Sequence, residues 1–209
     1  MKYFIIELSI ILLLIPLSCN AQNDRAISKT VGGPCEGCEA LLEYGNRILT
    51  SVDTLPLFEH TEPKLKITGT VYQNDGKTPA KDVILYIYHT NREGIYQKKG
   101  DEKDWARRHG FIRGWVKTDA SGRYTFYTFR PGAYPDRSEN EHIHLTIKEP
   151  GKNEYYLDDF VFEDDPLLKT RNRSNFKNRG GSGIMKPIMK DGMLQIERNI
   201  VLGENIPGY

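Results

Sequence analysis

The sequence predicts an all-β protein, a β-sandwich with a short N-terminal helix and long loops. Three observations predict it. From Lys64 onward apolar residues alternate with polar ones, as at Leu65, Ile67 and Val71, which is the period of a strand with one buried face. The apolar runs are short and are separated by turn-forming clusters such as Asn74-Asp75-Gly76 and Asp119-Ala120-Ser121-Gly122. The chain is also rich in residues that suit a pleated surface, with 12 Tyr and 8 Phe among 209 residues.

The N-terminus reads as an export leader. Lys2 supplies the charged start, residues 4–17 are apolar apart from Glu7, Ser9 and Pro16, and Ser18-Cys19-Asn20-Ala21 forms a small-residue exit. Leu17-Ser18-Cys19 resembles a bacterial lipobox, which implies a signal peptide over residues 1–19 and lipidation of Cys19. Cleavage after Ala21 is the alternative. The first path gives a membrane-anchored lipoprotein on the periplasmic or outer-surface side, and the second a periplasmic or secreted protein. Beyond the leader no apolar run approaches the ~20 residues needed to span a bilayer, so membrane contact is expected only through the lipid anchor. A formal net charge of +1 gives no electrostatic reason to expect a nucleic-acid partner. The sequence leaves a homo-oligomer open.

Residues 20–63 read as a polar tether followed by a short helix over residues 36–50, with Ala40, Leu41, Leu42, Tyr44 and Ile48 as its apolar set. Lipidation of Cys19 leaves Cys35 and Cys38 as an even pair in an oxidising compartment. Their spacing suits a short disulfide or two inert thiols. A zinc half-site lacks partners other than His60, and a thioredoxin-like centre lacks its βαβ context.

Residues 64–209 form the sandwich. Strands are expected over residues 83–89, 111–117, 123–128, 142–148, 155–162 and 193–202. Two segments break the rhythm, the charged insertion at residues 97–109 with Trp105 inside it, and the basic, then Gly-rich stretch 171–183. Both are long enough to cover a cleft, and the basic stretch reads first as an exposed face.

The chemistry is concentrated between Tyr96 and His144. In a strand residues i and i+2 share a face, so His142 and His144 can present two imidazoles to one point. Tyr96 and Tyr134, arriving from loops, add two oxygen donors. Phenolates are hard ligands, and two of them with two imidazoles suit ferric iron, Fe(3+), better than zinc.

These residues carry a resemblance to the intradiol ring-cleavage dioxygenases, which include the protocatechuate 3,4-dioxygenases and catechol 1,2-dioxygenases. The matching pattern is Gly94-Ile95-Tyr96, Arg113-Gly114, Thr118-Asp119-Ala120-Ser121-Gly122-Arg123-Tyr124, Thr128-Phe129-Arg130-Pro131-Gly132-Ala133-Tyr134-Pro135 and His142-Ile143-His144. It covers residues 67–165. The resemblance implies a mononuclear non-haem Fe(III) held by Tyr96, Tyr134, His142 and His144, with a water or hydroxide in a fifth position. It implies cleavage of a catechol-type diol by O2 to a muconate-type diacid, with Tyr134 as the ligand that gives way to substrate. Trp105 and Arg130 are the candidate substrate-binding residues.

The sequence departs from the family at one point. An arginine usually stands a few residues before the first histidine, whereas Glu139, Asn140 and Glu141 precede His142 here. Arg137 is the candidate replacement, and acidic neighbours favour an uncharged catechol over a carboxylated one. The competing reading is a non-catalytic prealbumin-like or carboxypeptidase-regulatory-like β-sandwich module on the cell surface. It explains the scaffold motifs and leaves the two tyrosines and two histidines unexplained.

Overall fold

The computed structural model describes Met1, residues 30–170 and residues 176–209, excepting the side chains of residues 169 and 170. The leader, Cys19 and most of the tether lie outside the described residues. Among the described residues no helix is long and apolar enough to cross a membrane.

A 3-10 helix over Cys38–Tyr44 comes first. The elements that follow are β1 (Val52–Thr54), β2 (Lys64–Tyr72), β3 (Ile84–Tyr88), α1 (Ala106–His109), β4 (Arg113–Lys117) and β5 (Arg123–Phe129). Then come β6 (His142–Lys148), β7 (Glu154–Tyr156), β8 (Phe160–Phe162), α2 (Pro166–Thr170), β9 (Ile184–Met185), β10 (Ile188–Lys190), β11 (Met193–Glu197) and β12 (Ile200–Val201). They make two six-stranded sheets. One runs β1-β5-β2-β11-β10 with β12 also on β2, and the other runs β4-β3-β6-β8-β9 with β7 also on β6. This is the predicted β-sandwich.

Alternation sets the core. In β2 every second residue is buried, and Leu65, Ile67 and Val71 meet Phe126 of β5, Leu85 and Ile87 of β3, and Ile143, Leu145 and Ile147 of β6 between the sheets. Each such side chain contributes roughly 1.5–3 kcal/mol on full burial. The opposite face of the second sheet is also covered at one end. Tyr86 and Trp115 project there and pack under Ala40 and Leu41 of the 3-10 helix. Trp115 Nε1 donates to the Leu41 carbonyl at 2.9 Å.

The structure corrects several boundaries. The N-terminal helix is a single short 3-10 segment, because Gly45 at φ 61° ends it, and Ile48 is left exposed. Val52–Thr54 already belongs to the sandwich, pairing in parallel with β5, so strand structure begins before residue 64. Three residues centred on Asp53 are too few to show alternation. The strand expected over residues 155–162 is two, β7 and β8, parted at Leu157-Asp158-Asp159. That over residues 193–202 is likewise two, β11 and β12. Arg179, inside the stretch read as an exposed face, is buried; it lies over Tyr156 at 3.6 Å and donates to the Gly32 carbonyl at 3.0 Å.

Candidate metal centre

The site stands on the outer face of the second sheet, beside the end that the 3-10 helix covers. Ile143 points into the core, so its neighbours His142 and His144 both point out. Tyr88 lies opposite His144 in the β3–β6 register, and the two rings stack at 4.4 Å.

Two loops bring the tyrosines. Asn91 Oδ1 accepts hydrogen bonds from the Glu93 and Ile95 amides, folding Gly94-Ile95-Tyr96 back towards the sheet. Gly94 has φ 78°, and a Cβ there would lie 1.9 Å from the Ala133 carbonyl oxygen, so only glycine lets this loop touch the one carrying Tyr134. The second loop is tied by the Thr90 hydroxyl, which donates to the Gly132 carbonyl at 2.8 Å.

The four predicted ligand atoms converge. Tyr96 Oη lies 2.7 Å from Tyr134 Oη and 2.7 Å from His144 Nε2, and the two histidine Nε2 atoms are 3.2 Å apart. The other ring nitrogens decide the tautomers. His142 Nδ1 is 2.6 Å from the Asn140 carbonyl, which only accepts, and His144 Nδ1 is 3.2 Å from Asp159 Oδ1. Both Nδ1 atoms therefore donate, and in the neutral rings both Nε2 lone pairs face the same point. Two lone pairs that close repel unless a cation or proton lies between them. The donor set thus fits a metal ion, and two phenols with two imidazoles fit ferric iron.

Ligand atoms of His142, His144 and Asp159 also lie within 4.8 Å of one another. Asp159 bonds the Nδ1 side of His144, away from the meeting point, so it orients the ring. Burial works against the Asp159 charge, but the His144 ring facing it and the hydrogen bond it receives outweigh this and hold the carboxyl below its usual range. Burial, reinforced by the mutual contact, pushes the Tyr96 phenol up; burial also raises Tyr134. Burial lowers His142, with the neighbouring His144 adding to it. Tyr134 Oη can donate to Tyr96 Oη, and Tyr96 Oη to His144 Nε2.

Two clefts adjoin it. One of about 260 Å³ is lined by Tyr96, Tyr134, His144, Tyr88, Trp105 and Arg108 among others. A second of about 330 Å³ lies past His144 against Asp159, Tyr156 and residues 34–37. Trp105 is therefore where the sequence placed it, at the cleft. The other arginine candidates are elsewhere. Arg130 is bound to Glu141 at 2.5 Å and Asp164 at 2.9 Å and lies over Phe162, so it braces the approach to β6 and lines neither cleft. Arg137 sits exposed on the turn after Tyr134 at φ 54° and lines neither cleft. Glu141 is taken up by Arg130 and Arg92, which removes it from any role in repelling a carboxylated substrate. Cys35 and Cys38 are joined as a disulfide.

Sequence reasoning missed Asp159, Tyr88, His109, Arg108 and Glu36. Asp159 had no signal in the sequence and emerges only from the sheet register: β8 pairs with β6 as His142↔Val161 and Ile143↔Phe160, so one more step sets Asp159 opposite His144. His109, stacked on Tyr88 at 3.8 Å, had none.

A β-sandwich presenting two phenols and two imidazoles to one point beside an aromatic cleft has the donor set of a mononuclear metal site. A family model described as Dioxygenase matches residues 44–178, and the chain belongs to that family, the intradiol dioxygenases. It is 32% identical over 111 residues to the protocatechuate 3,4-dioxygenase beta chain of Burkholderia cepacia, covering 50% of this chain and 47% of that one. It is 28% identical over 141 residues to catechol 1,2-dioxygenase 1 of Acinetobacter lwoffii, covering 65% of this chain and 42% of the relative. The chain thus spans about half the length of the curated relatives it matches. Among solved structures, the intradiol ring-cleavage dioxygenase from Tetranychus urticae superposes with a TM-score of 0.54 at 19% identity, covering 83% of this chain and 92% of that one. The dioxygenase domain of a dioxygenase carbohydrate-binding fusion from Streptomyces sp. SirexAA-E gives 0.53 at 23% identity, covering 66% and 79%. These likenesses support the fold.

Proposed function

We propose that this chain cleaves a catechol-type diol between its two hydroxylated carbons, using O2 and a ferric ion held by Tyr96, Tyr134, His142 and His144. The observation that carries this reading is the convergence of two phenol oxygens and two bare imidazole nitrogens at the rim of a cleft. Family membership supports the reaction class. Ferric iron, when bound, would supply a Lewis-acid and redox centre that makes a diol reactive towards O2. The protein's part is placement and proton handling. Asn140 and Asp159 fix the two imidazoles in the tautomer that leaves Nε2 free. Tyr134, on a turn at the cleft, takes up at Oη a proton that the diol loses on binding. Trp105 provides an aromatic wall for a ring, and Tyr88, stacked between His144 and His109, presents only its edge to the cleft. Both atoms of O2 end in the two carboxyl groups of a muconate-type diacid, so no reductant is consumed.

The leader pattern and the Cys35–Cys38 disulfide support placing this activity outside the cytoplasm on a lipid anchor at Cys19. Mass spectrometry of the mature N-terminus tests that part; an unmodified chain starting at Gln22 overturns the anchor.

An absorption spectrum of protein purified from iron-replete cells tests the centre. Phenolate bound to ferric iron gives a visible charge-transfer band, and oxygen uptake with a panel of catechols follows. A colourless, iron-free protein refutes the iron site, and a coloured protein inert towards every diol refutes the reaction.

A further inference from the structure

Residues 34–37 precede the stretch that matches the family model, yet they help to line the clefts. The Cys35–Cys38 disulfide closes them into a tight loop. The loop rests on the insertion that ends in α1: a Cβ at Gly37 would lie 3.0 Å from His109 Nε2 and 3.3 Å from Trp105. From this loop Glu36 reaches the opposite wall and pairs with Arg108. The Arg108 guanidinium lies 5.5 Å over the Trp105 ring. Both charged side chains are largely open to solvent, 73% for Glu36 and 62% for Arg108, and both line the cleft that holds Tyr96, Tyr134 and His144. The remaining charge on the cleft walls, Asp159, is committed to His144.

We propose that the Glu36–Arg108 pair selects the diol by the charge of its ring substituent. Paired, the two present no net charge to the cleft, so an uncharged catechol binds without disturbing them. A carboxylate on the ring that approaches Arg108 meets the like charge of Glu36 beside it, and an ammonium that approaches Glu36 meets the like charge of Arg108. Each charged substrate therefore meets repulsion that offsets its attraction. This selector rests on the reading of the centre as a diol site. It belongs to the N-terminal loop and lies outside the part of the chain that matches the family.

The test uses the full iron-loaded chain under anaerobic conditions, with diol binding followed by the change in the visible band. The probes are catechol, its 4-carboxylate and its 4-(2-aminoethyl) derivative. In E36Q the affinity for the carboxylate should rise relative to catechol by about fivefold, and that for the amine should fall, as befits one exposed charge pair. R108Q should show the reverse order. R108K, which keeps the charge, should keep the wild-type ranking, and E36Q/R108Q should return to it. Variants that change all three affinities by one common factor would overturn the selector while leaving the diol site standing. A wild-type protein that binds iron but none of the three diols would overturn both.

Discussion

Asp159 Oδ1 lies 3.2 Å from His144 Nδ1, on the side of the ring opposite the contact between Nε2 and the Tyr96 oxygen. A carboxylate in that place fixes the ring and makes its far nitrogen a better donor. Asp159→Ala is expected to weaken iron binding by roughly 10–100-fold. Asp159→Asn, which keeps an acceptor oxygen, should lose less. Competition against a chromophoric chelator measures both, and equal affinities for wild type and Asp159→Ala would remove Asp159 from the site.

Metal uptake should depend steeply on pH. Burial raises the phenol of Tyr96 and that of Tyr134, so both are protonated in the metal-free protein at neutral pH. Holding a cation as two phenolates releases two protons, and affinity therefore rises as pH rises. A slope of log affinity approaching two per pH unit is expected near pH 7, after correction for iron hydrolysis and chelator protonation. In Tyr134→Phe it should fall towards one, with the visible band altered. A slope unchanged by that substitution would exclude Tyr134 as a ligand.

The convergence of Tyr96, Tyr134, His142 and His144 was legible because the strand period alone sets His142 and His144 on one face, and because the tyrosine loops carry their own turn residues. The roles of the arginines were not. Arg130 stands four residues before Tyr134, yet Glu141 and Asp164 arrive from other segments and claim it. The same holds for Glu36 and Arg108, 72 residues apart, whose meeting depends on a 3-10 helix docking on the outer face of a sheet. Periodicity reports which face a side chain takes and says nothing of which distant segment will cover that face.

The placement of Arg130 predicts a stability effect. Arg130→Ala deprives Glu141, whose side chain is about 19% exposed with Arg130 in place, of its closest partner. A loss of about 1–3 kcal/mol is expected, the cost of a mostly buried charged group deprived of its bond. Denaturant unfolding measures it, and KM for a diol should change little in protein that remains folded. A raised KM with unchanged stability would return Arg130 to the substrate.

Acid should destabilise the metal-free fold through His89. This ring is 1% exposed, with Nδ1–H donating to the Thr90 carbonyl at 2.7 Å and Nε2 accepting from the Thr128 hydroxyl at 2.7 Å. Burial, only partly offset by the bond to Thr90, pulls its pKa down from 6.5 to about 4. Between these values the unfolded chain binds a proton that the folded chain refuses, so stability falls as pH falls from about 6.5 to about 4. The slope is at most about 1.4 kcal/mol per pH unit for one histidine. His109, lowered to about 3 by burial and by neighbouring positive charge, acts in the same direction. Urea midpoints of the metal-free protein at pH 7 and 4.5 should show the loss, and His89→Gln should reduce it without abolishing it. The same pH dependence in His89→Gln and wild type would mean that His89 already takes up its proton in the folded state.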